Sequence, residues 1–183
     1  MDIAKDLFFS QQSLMTLFLV TNKLQMQGDK HLGDLTIRQI LAIPALFHAP
    51  DGKATINHIA RSMGTTKQST KQMVDAMKKK GYLSVTANEQ DKRAVNIEIT
   101  PEGQQAFRKC SERTDEFLAK IFSDFTAEEL ETVCTLLQKL YSYDTGQSDC
   151  AHEQYHTNNS DAVWHHHQKF AQLRADSYLK ENQ

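Results

Sequence analysis

The chain has 183 residues, 39% apolar and 24% charged, which is enough for one or two packed units. Its net charge of −2 excludes a polycation, and three cysteines without paired spacing exclude a disulfide framework. The longest apolar stretch, Leu14 to Val20, is too short to cross a bilayer, and the N-terminus lacks a basic region and a cleavage site. A cytoplasmic protein with no membrane partner is therefore expected.

From Ile3 to about Gln27 the pattern is helical. Ile3, Leu7, Leu14, Leu17, Phe18 and Leu24 form a stripe that Phe8, Phe9, Leu19 and Val20 widen. So apolar a helix needs cover. A partner subunit is the simplest cover, and other helices of the same chain are the alternative. Gly28 to Asp34 reads as a loop. Thr36 and Gln39 have the spacing of a capping box, opening a second helix that brings Ile40, Ile43 and Phe47 to the core. Pro44 must kink that helix or end it early. His48 to Lys53 reads as a turn, and Lys53 to Thr55 as a candidate short strand.

Residues 55 to 99 carry the chemistry. Ile56, Ile59, Ala60 and Met63 predict a short helix capped by Thr55, broken at Met63-Gly64. The next helix has Thr65 or Thr66 as its cap. Thr70, Met73, Val74 and Met77 give it a core stripe. Opposite lie Lys67, Gln68, Lys71 and Gln72, four long hydrogen-bond donors, with Lys78 to Lys80 and Gly81 at its end. Two short helices joined by a tight Gly-containing turn are a helix-turn-helix, whose second helix enters the major groove. A β-hairpin follows: Tyr82, Leu83 and Val85, then Val95, Ile97 and Ile99 alternating with Asn96 and Glu98, with one buried face. Its tip, Asn88 to Arg93, makes it a wing. Arg93 is suited to a minor groove, with Asp91 to aim its guanidinium. Between Arg61 and Arg93 eight cations face three carboxylates, a local +5 that leaves −7 for the remainder. A basic module on an acidic body is the footprint of a specific DNA binder.

The run GTTKQSTKQMVDAMKKKGYL followed by DKRAVNIEITPEG resembles the MarR (multiple antibiotic resistance regulator) family of winged-helix transcription factors. The L-T-x-x-Q entry at Leu35 to Gln39, the D-x-R wing and the I-T-P-E-G exit at Ile99 to Gly103 occur in family order over roughly residues 5 to 143. The resemblance implies a homodimer on pseudo-palindromic DNA, often a repressor released by a small ligand or by oxidation. Pro44 departs from the usual family pattern.

After the wing, Thr100 caps a helix with Pro101 at its first position. Ala106, Phe107, Cys110, Thr114, Phe117, Leu118 and Ile121 stripe it for about six turns, roughly 30 Å. Thr126 and Glu129 form a second capping box, with Phe125 and Leu130 placed for a hydrophobic staple. Leu130, Val133, Cys134, Leu137, Leu140 and Tyr141 stripe the next helix. Asp144 to Ser160 reads as a linker, and Asp161 to Lys180 as a further helix that lengthens a dimer interface or moves freely.

The expected architecture is mainly α, an α+β winged helix. Residues 1–34 form an N-terminal dimerisation helix, 35–100 the DNA-binding module and 101–143 long dimerisation helices. Residues 144–160 are the linker and 161–183 the extra helix. The expected DNA-binding residues are Thr66, Lys67, Gln68, Ser69, Lys71, Gln72, Asp91, Lys92 and Arg93. Expected partners are double-stranded DNA, a second copy of the chain and a small effector whose pocket residues the sequence does not name.

No Gly-rich phosphate loop, G-x-S-x-G elbow or H-E-x-x-H is present, so neither an enzyme nor a cofactor is expected. His152 and His156 stand four apart near Cys150, with His165 to His167 beyond; exposed polar histidines are preferred here to a metal site. Cys110 and Cys134 fall on helical stripes expected to be buried, where thiols are inert. The alternative to a DNA regulator is a winged helix that binds protein or RNA, against which the polar outward face argues.

Overall fold

The computed structural model describes residues 3–49, 52–88, 94–143 and 161–181, the last with side chains from Gln168 to Leu179. Helix α1 spans Ile3–Leu32, and two single-turn helices follow, α2 at Ile37–Leu41 and α3 at Ile43–Phe47. Helices α4 (Ile56–Ser62) and α5 (Lys67–Lys79) precede an antiparallel hairpin, β1 (Leu83–Ala87) and β2 (Val95–Ile99). Long α6 (Pro101–Ile121), α7 (Ala127–Tyr141) and α8 (Asp161–Glu181) complete the chain.

Helix α1 runs five residues beyond its expected end and takes in most of the expected loop. Gly28 is the reason that segment looks like a loop and is not one. A Cβ there would stand 2.5 Å from the Ile37 side chain and 3.3 Å from Phe117. Gly costs a helix interior about 1 kcal/mol relative to Ala. Here it lets α1 cross closely over α2 and α6. The end of α1 is tied down from a distance: Arg113 Nη1 donates to the Leu32 carbonyl at 3.0 Å.

The expected caps form. Thr36 Oγ1 accepts from Gln39 N at 3.3 Å, and Gln39 Oε1 accepts from Thr36 N at 3.1 Å. Asp29 Oδ1 adds a bond from Ile37 N at 2.7 Å. Pro44 ends α2 early: the chain turns at Ala42, and Pro44 sits in the first turn of α3. There its missing N–H costs nothing, because first-turn donors have no helical partner. Lys53 to Thr55 contributes only one bridge, Ala54 with Ile97, through N–H···O bonds of 3.0 and 2.8 Å.

The hairpin pairs Leu83 with Ile99 and Val85 with Ile97. Its second face is less exposed than alternation predicts. Asn96 is buried, and its Oδ1 accepts from Asn88 Nδ2 at 2.7 Å, so burial does not leave that oxygen unpaired. Behind the hairpin, Gly103 lets α6 start against the Tyr82 backbone, since any Cβ would collide with the Tyr82 carbonyl. Thr100 stitches the same corner: its Oγ1 donates to the Gly81 carbonyl at 2.6 Å and accepts from Gly103 N at 3.0 Å. Those bonds explain the T-P-E-G string.

One contiguous core joins Leu32, Leu35, Leu46, Ile59, Val74, Met77, Leu83, Ile97 and Phe107. It lies wholly between the end of α1 and the middle of α6. Helix α7 has no buried residue, so Cys134 is exposed in the single chain rather than buried as expected. Its capping box forms as read.

Helix α8 is helical as expected, and it packs along α6 rather than standing apart. Arg174 Nη2 donates to the Phe122 carbonyl at 3.0 Å and also to that of Phe125, closing the corner between α6 and α7. Lys169 Nζ lies 3.8 Å from a Glu112 carboxylate oxygen, an exposed pair worth little. Of the histidine-rich tail, Cys150, His152 and His156 lie outside the described residues, as do the side chains of His165 to His167. Among the described residues no helix is long and apolar enough to cross a membrane.

Candidate nucleic-acid interface

The interface is built on the turn between α4 and α5. Thr55 Oγ1 caps α4 by accepting from His58 N at 3.1 Å. Gly64 then adopts φ +59°, a left-handed conformation that reverses the chain without a Cβ clash. Thr65 N donates to the Ala60 carbonyl at 2.9 Å, holding the turn tight. Thr66, not Thr65, caps α5, its Oγ1 accepting from Ser69 N at 3.2 Å.

Helix α5 divides as the periodicity requires. Thr70, Val74 and Met77 are buried and Met73 half-buried. The Thr70 hydroxyl donates to the Thr66 carbonyl at 3.1 Å, which satisfies a polar group inside the core. Each buried Val or Met side chain contributes about 1.5–3 kcal/mol, enough to fix which face points out. Thr66, Lys67, Gln68, Lys71 and Gln72 are exposed on the other side. Asp75 shares that exposed surface one turn further on. Ser69 is half-buried at the edge and already engaged, because Arg38 Nη2 donates to its Oγ at 2.7 Å. The same nitrogen reaches Thr65 Oγ1 at 3.3 Å. No local motif signals Arg38; its partners are 27 and 31 residues away.

The far end of α5 is also anchored. Lys80 Nζ donates to the Asp34 carbonyl, so one of the three end lysines has a structural bond, while Lys78 and Lys79 stay in solvent. The hairpin leaves the same end and closes at Asn88, whose N–H donates to the Ala94 carbonyl at 3.2 Å. Asp91, Lys92 and Arg93 lie outside the described residues.

A cavity of about 660 Å³ lies behind this module, between α2–α3 and α6. Ile40, Ile43, Pro44, Phe47 and Phe107 give it apolar walls, and Gln104, Arg108, Ser111 and Thr114 supply polar groups. Pro44, which breaks the α2–α3 path, lines it. Cys110 also borders it, but burial pushes that thiol's pKa up, only partly opposed by a bond with Thr114 and the charge of Arg113. A thiol held protonated is a poor nucleophile, which disfavours oxidation sensing at this position.

The family model described as MarR family matches residues 33–94. The chain is 25% identical over 138 residues to the HTH-type transcriptional regulator PrsX of Escherichia coli, covering 74% of this chain and 83% of that protein. It is 28% identical over 89 residues to the uncharacterized HTH-type transcriptional regulator YsmB of Bacillus subtilis. That match spans 49% of this chain and about three fifths of YsmB (61%). Among solved structures, a mutant MarR from E. coli complexed with operator DNA superposes with a TM-score of 0.63 at 20% identity, covering 76% of this chain and 99% of that one. Bordetella bronchiseptica BpsR, whose DNA binding is regulated by 6-hydroxynicotinic acid, gives 0.64 at 17% identity, covering 71% and 98%. At these identities the superpositions establish the fold. Residues 33–94, which hold the helix-turn-helix and most of the hairpin, thus match the MarR family of transcriptional regulators, and the chain around them has the winged-helix fold of the solved structures it resembles.

Proposed function

We propose that this protein is a sequence-specific DNA-binding repressor that acts as a homodimer on pseudo-palindromic operators and is released by a small effector. One observation carries the reading. Helix α5 is locked to the core along Thr70, Val74 and Met77, and so presents Lys67, Gln68, Lys71 and Gln72 to solvent. Glutamine can pair bidentately with adenine, and lysine with guanine or a phosphate. Each good bidentate pair supplies about 1–3 kcal/mol of discrimination. The wing residues Asp91, Lys92 and Arg93 extend the footprint toward the neighbouring minor groove.

Dimerisation is supported by what the single chain leaves uncovered. Ile3, Leu7, Phe8, Phe9, Leu14, Phe18 and Leu19 on α1, and Leu136, Leu137, Leu140 and Tyr141 on α7, are all exposed. So much apolar surface is unusual on a monomer and suits a self-complementary interface. A two-fold dimer would set its recognition helices about 34–36 Å apart, one DNA turn.

The cavity between α2–α3 and α6 is our candidate effector site. Its apolar walls and single guanidinium suit a small aromatic or aliphatic acid, a chemistry shared with the 6-hydroxynicotinic acid that regulates BpsR. A ligand there that prefers a different spacing of the recognition helices would release DNA by shifting the population.

The test is fluorescence anisotropy with duplex DNA from upstream of this protein's own gene, against scrambled duplex, over a salt series. Preference for the first, with log affinity falling linearly in log salt, is expected. Equal binding to both, or binding to single-stranded RNA in preference to either, would favour the interaction-module alternative.

A further inference from the structure

We propose that Arg38, on α2 and outside the helix-turn-helix proper, is a further residue of the DNA interface. One edge of its guanidinium positions the first turn of α5, and the other meets a backbone phosphate. The proposal rests on the DNA-reading function above.

The geometry has three parts. First, Arg38 crosses from α2 to the start of α5 with a single nitrogen, Nη2, spanning Thr65 Oγ1 in the turn and Ser69 Oγ in the first helical turn. A planar guanidinium has five N–H donors in a fixed fork, so several remain for another acceptor. Second, Arg38 is exposed and has no carboxylate partner among the described residues. Third, its location is electrostatically wrong for a charge that serves stability alone. The N-terminus of a helix carries positive partial charge, and a cation beside it is disfavoured. A phosphate approaching the same point would reverse the sign of that cost.

Helix geometry puts Ser69 at the margin of the surface formed by Lys67, Gln68, Lys71 and Gln72. Base edges lie opposite the outward face of a recognition helix's N-terminal residues, and the phosphate strand flanks that face. The Ser69 hydroxyl accepts from Arg38 and therefore keeps its proton to donate outward. Arg38 and Ser69 together make a two-donor contact whose register is set by α2. The capping box at Thr36 and the Asp29 bond to Ile37 N fix α2 in turn. Its consequence is that anything tilting α2, which also lines the cavity through Ile40, tilts the start of the recognition helix.

Full-length protein and its Arg38→Ala, Arg38→Lys and Ser69→Ala variants are to be titrated with the upstream duplex and with a mixed-sequence duplex over a salt series. Melting curves serve as the folding control. Arg38→Ala is expected to melt like the parent, to bind the mixed-sequence duplex about tenfold more weakly and the upstream duplex more weakly still, with a log–log salt slope shallower by about 0.9. Arg38→Lys should recover the slope but not the full preference for the upstream duplex, since a point charge lacks the fork. Ser69→Ala should lower the preference and keep the slope. An unchanged slope in Arg38→Ala would overturn the phosphate contact, and full preference in Arg38→Lys would overturn the positioning role. If the parent protein binds both duplexes equally, sequence reading fails while the slope still decides Arg38; if it binds neither, both proposals fall.

Discussion

The winged module and the outer helices treat apolar side chains in opposite ways. In the module Ile59 and Met77 are 0% exposed and Ile97 1%. On α1, Ile3 is 73% exposed and Phe18 61%, and α7 buries nothing. Burial of each large apolar side chain contributes about 1.5–3 kcal/mol, so the module is complete as one chain and the outer helices are not. The first region is a folded object, and the second carries apolar surface that the described residues leave uncovered. The proposed function divides along the same line: reading would belong to the finished part, and spacing to the part that we propose a second copy covers.

The sharpest way to break that contrast is at α1. Leu14→Glu with Phe18→Glu should abolish self-association, raising the dimer dissociation constant by roughly a thousandfold or more. Sedimentation velocity would register a monomer, and near-UV spectra of the module should stay unchanged. A dimer that survives both charges would mean that α1 is covered some other way.

Next in size is Gly103→Ala, on the finished side. A methyl group forced against the Tyr82 backbone should cost about 3 kcal/mol, outweighing the helix propensity gained. Urea unfolding would read it as a lower midpoint. Stability equal to the parent would show that the α6–hairpin corner is looser than described.

Arg174→Ala acts beyond both regions. Losing its bonds to the Phe122 and Phe125 carbonyls should free α8 for proteolysis, with a loss of about 1–3 kcal/mol at that site. The midpoint of the module should hold. A change in the module's midpoint would show that α8 supports the core.

The smallest effect concerns Cys110. Its folded-state pKa is raised by burial, so the stability it contributes is complete below the ordinary thiol value and is lost as pH rises through the folded one. The stability gap between parent and Cys110→Ala should therefore narrow in alkaline solution. Alkylation at neutral pH, followed by peptide mass spectrometry, should leave Cys110 unmodified until denaturant is added. Rapid labelling would restore a thiol-sensing reading.

Local chemistry made much of this legible in the sequence. The caps at Thr36, Thr55, Thr100 and Thr126 form where their spacing placed them, because a cap needs only its own next three residues, and the structure decides for Thr66 over Thr65. The division of α5 follows from helical period alone. What escaped was settled across the chain. Gly28 looks like a breaker until Ile37 and Phe117 are seen against it. Cys134 sits on an apolar stripe that the described residues do not cover. Arg38, Arg113 and Arg174 reach oxygens 27 to 81 residues away, and an arginine carries no sign of its acceptor. The docking of α8 on α6 was likewise illegible, since a modestly apolar helix does not declare which neighbour it fits.

The measurement that bears most directly on the central claim is the base preference of α5 itself. Full-length protein with Gln68→Ala or Gln72→Ala would be compared with the parent on the upstream duplex, on single-base variants of it and on scrambled duplex, at one salt concentration. The account predicts that each substitution removes about 1–3 kcal/mol of discrimination at a distinct position while scrambled-duplex affinity stays level. Base preferences identical to those of the parent in both variants would contradict it, leaving α5 a phosphate-binding surface that does not read sequence.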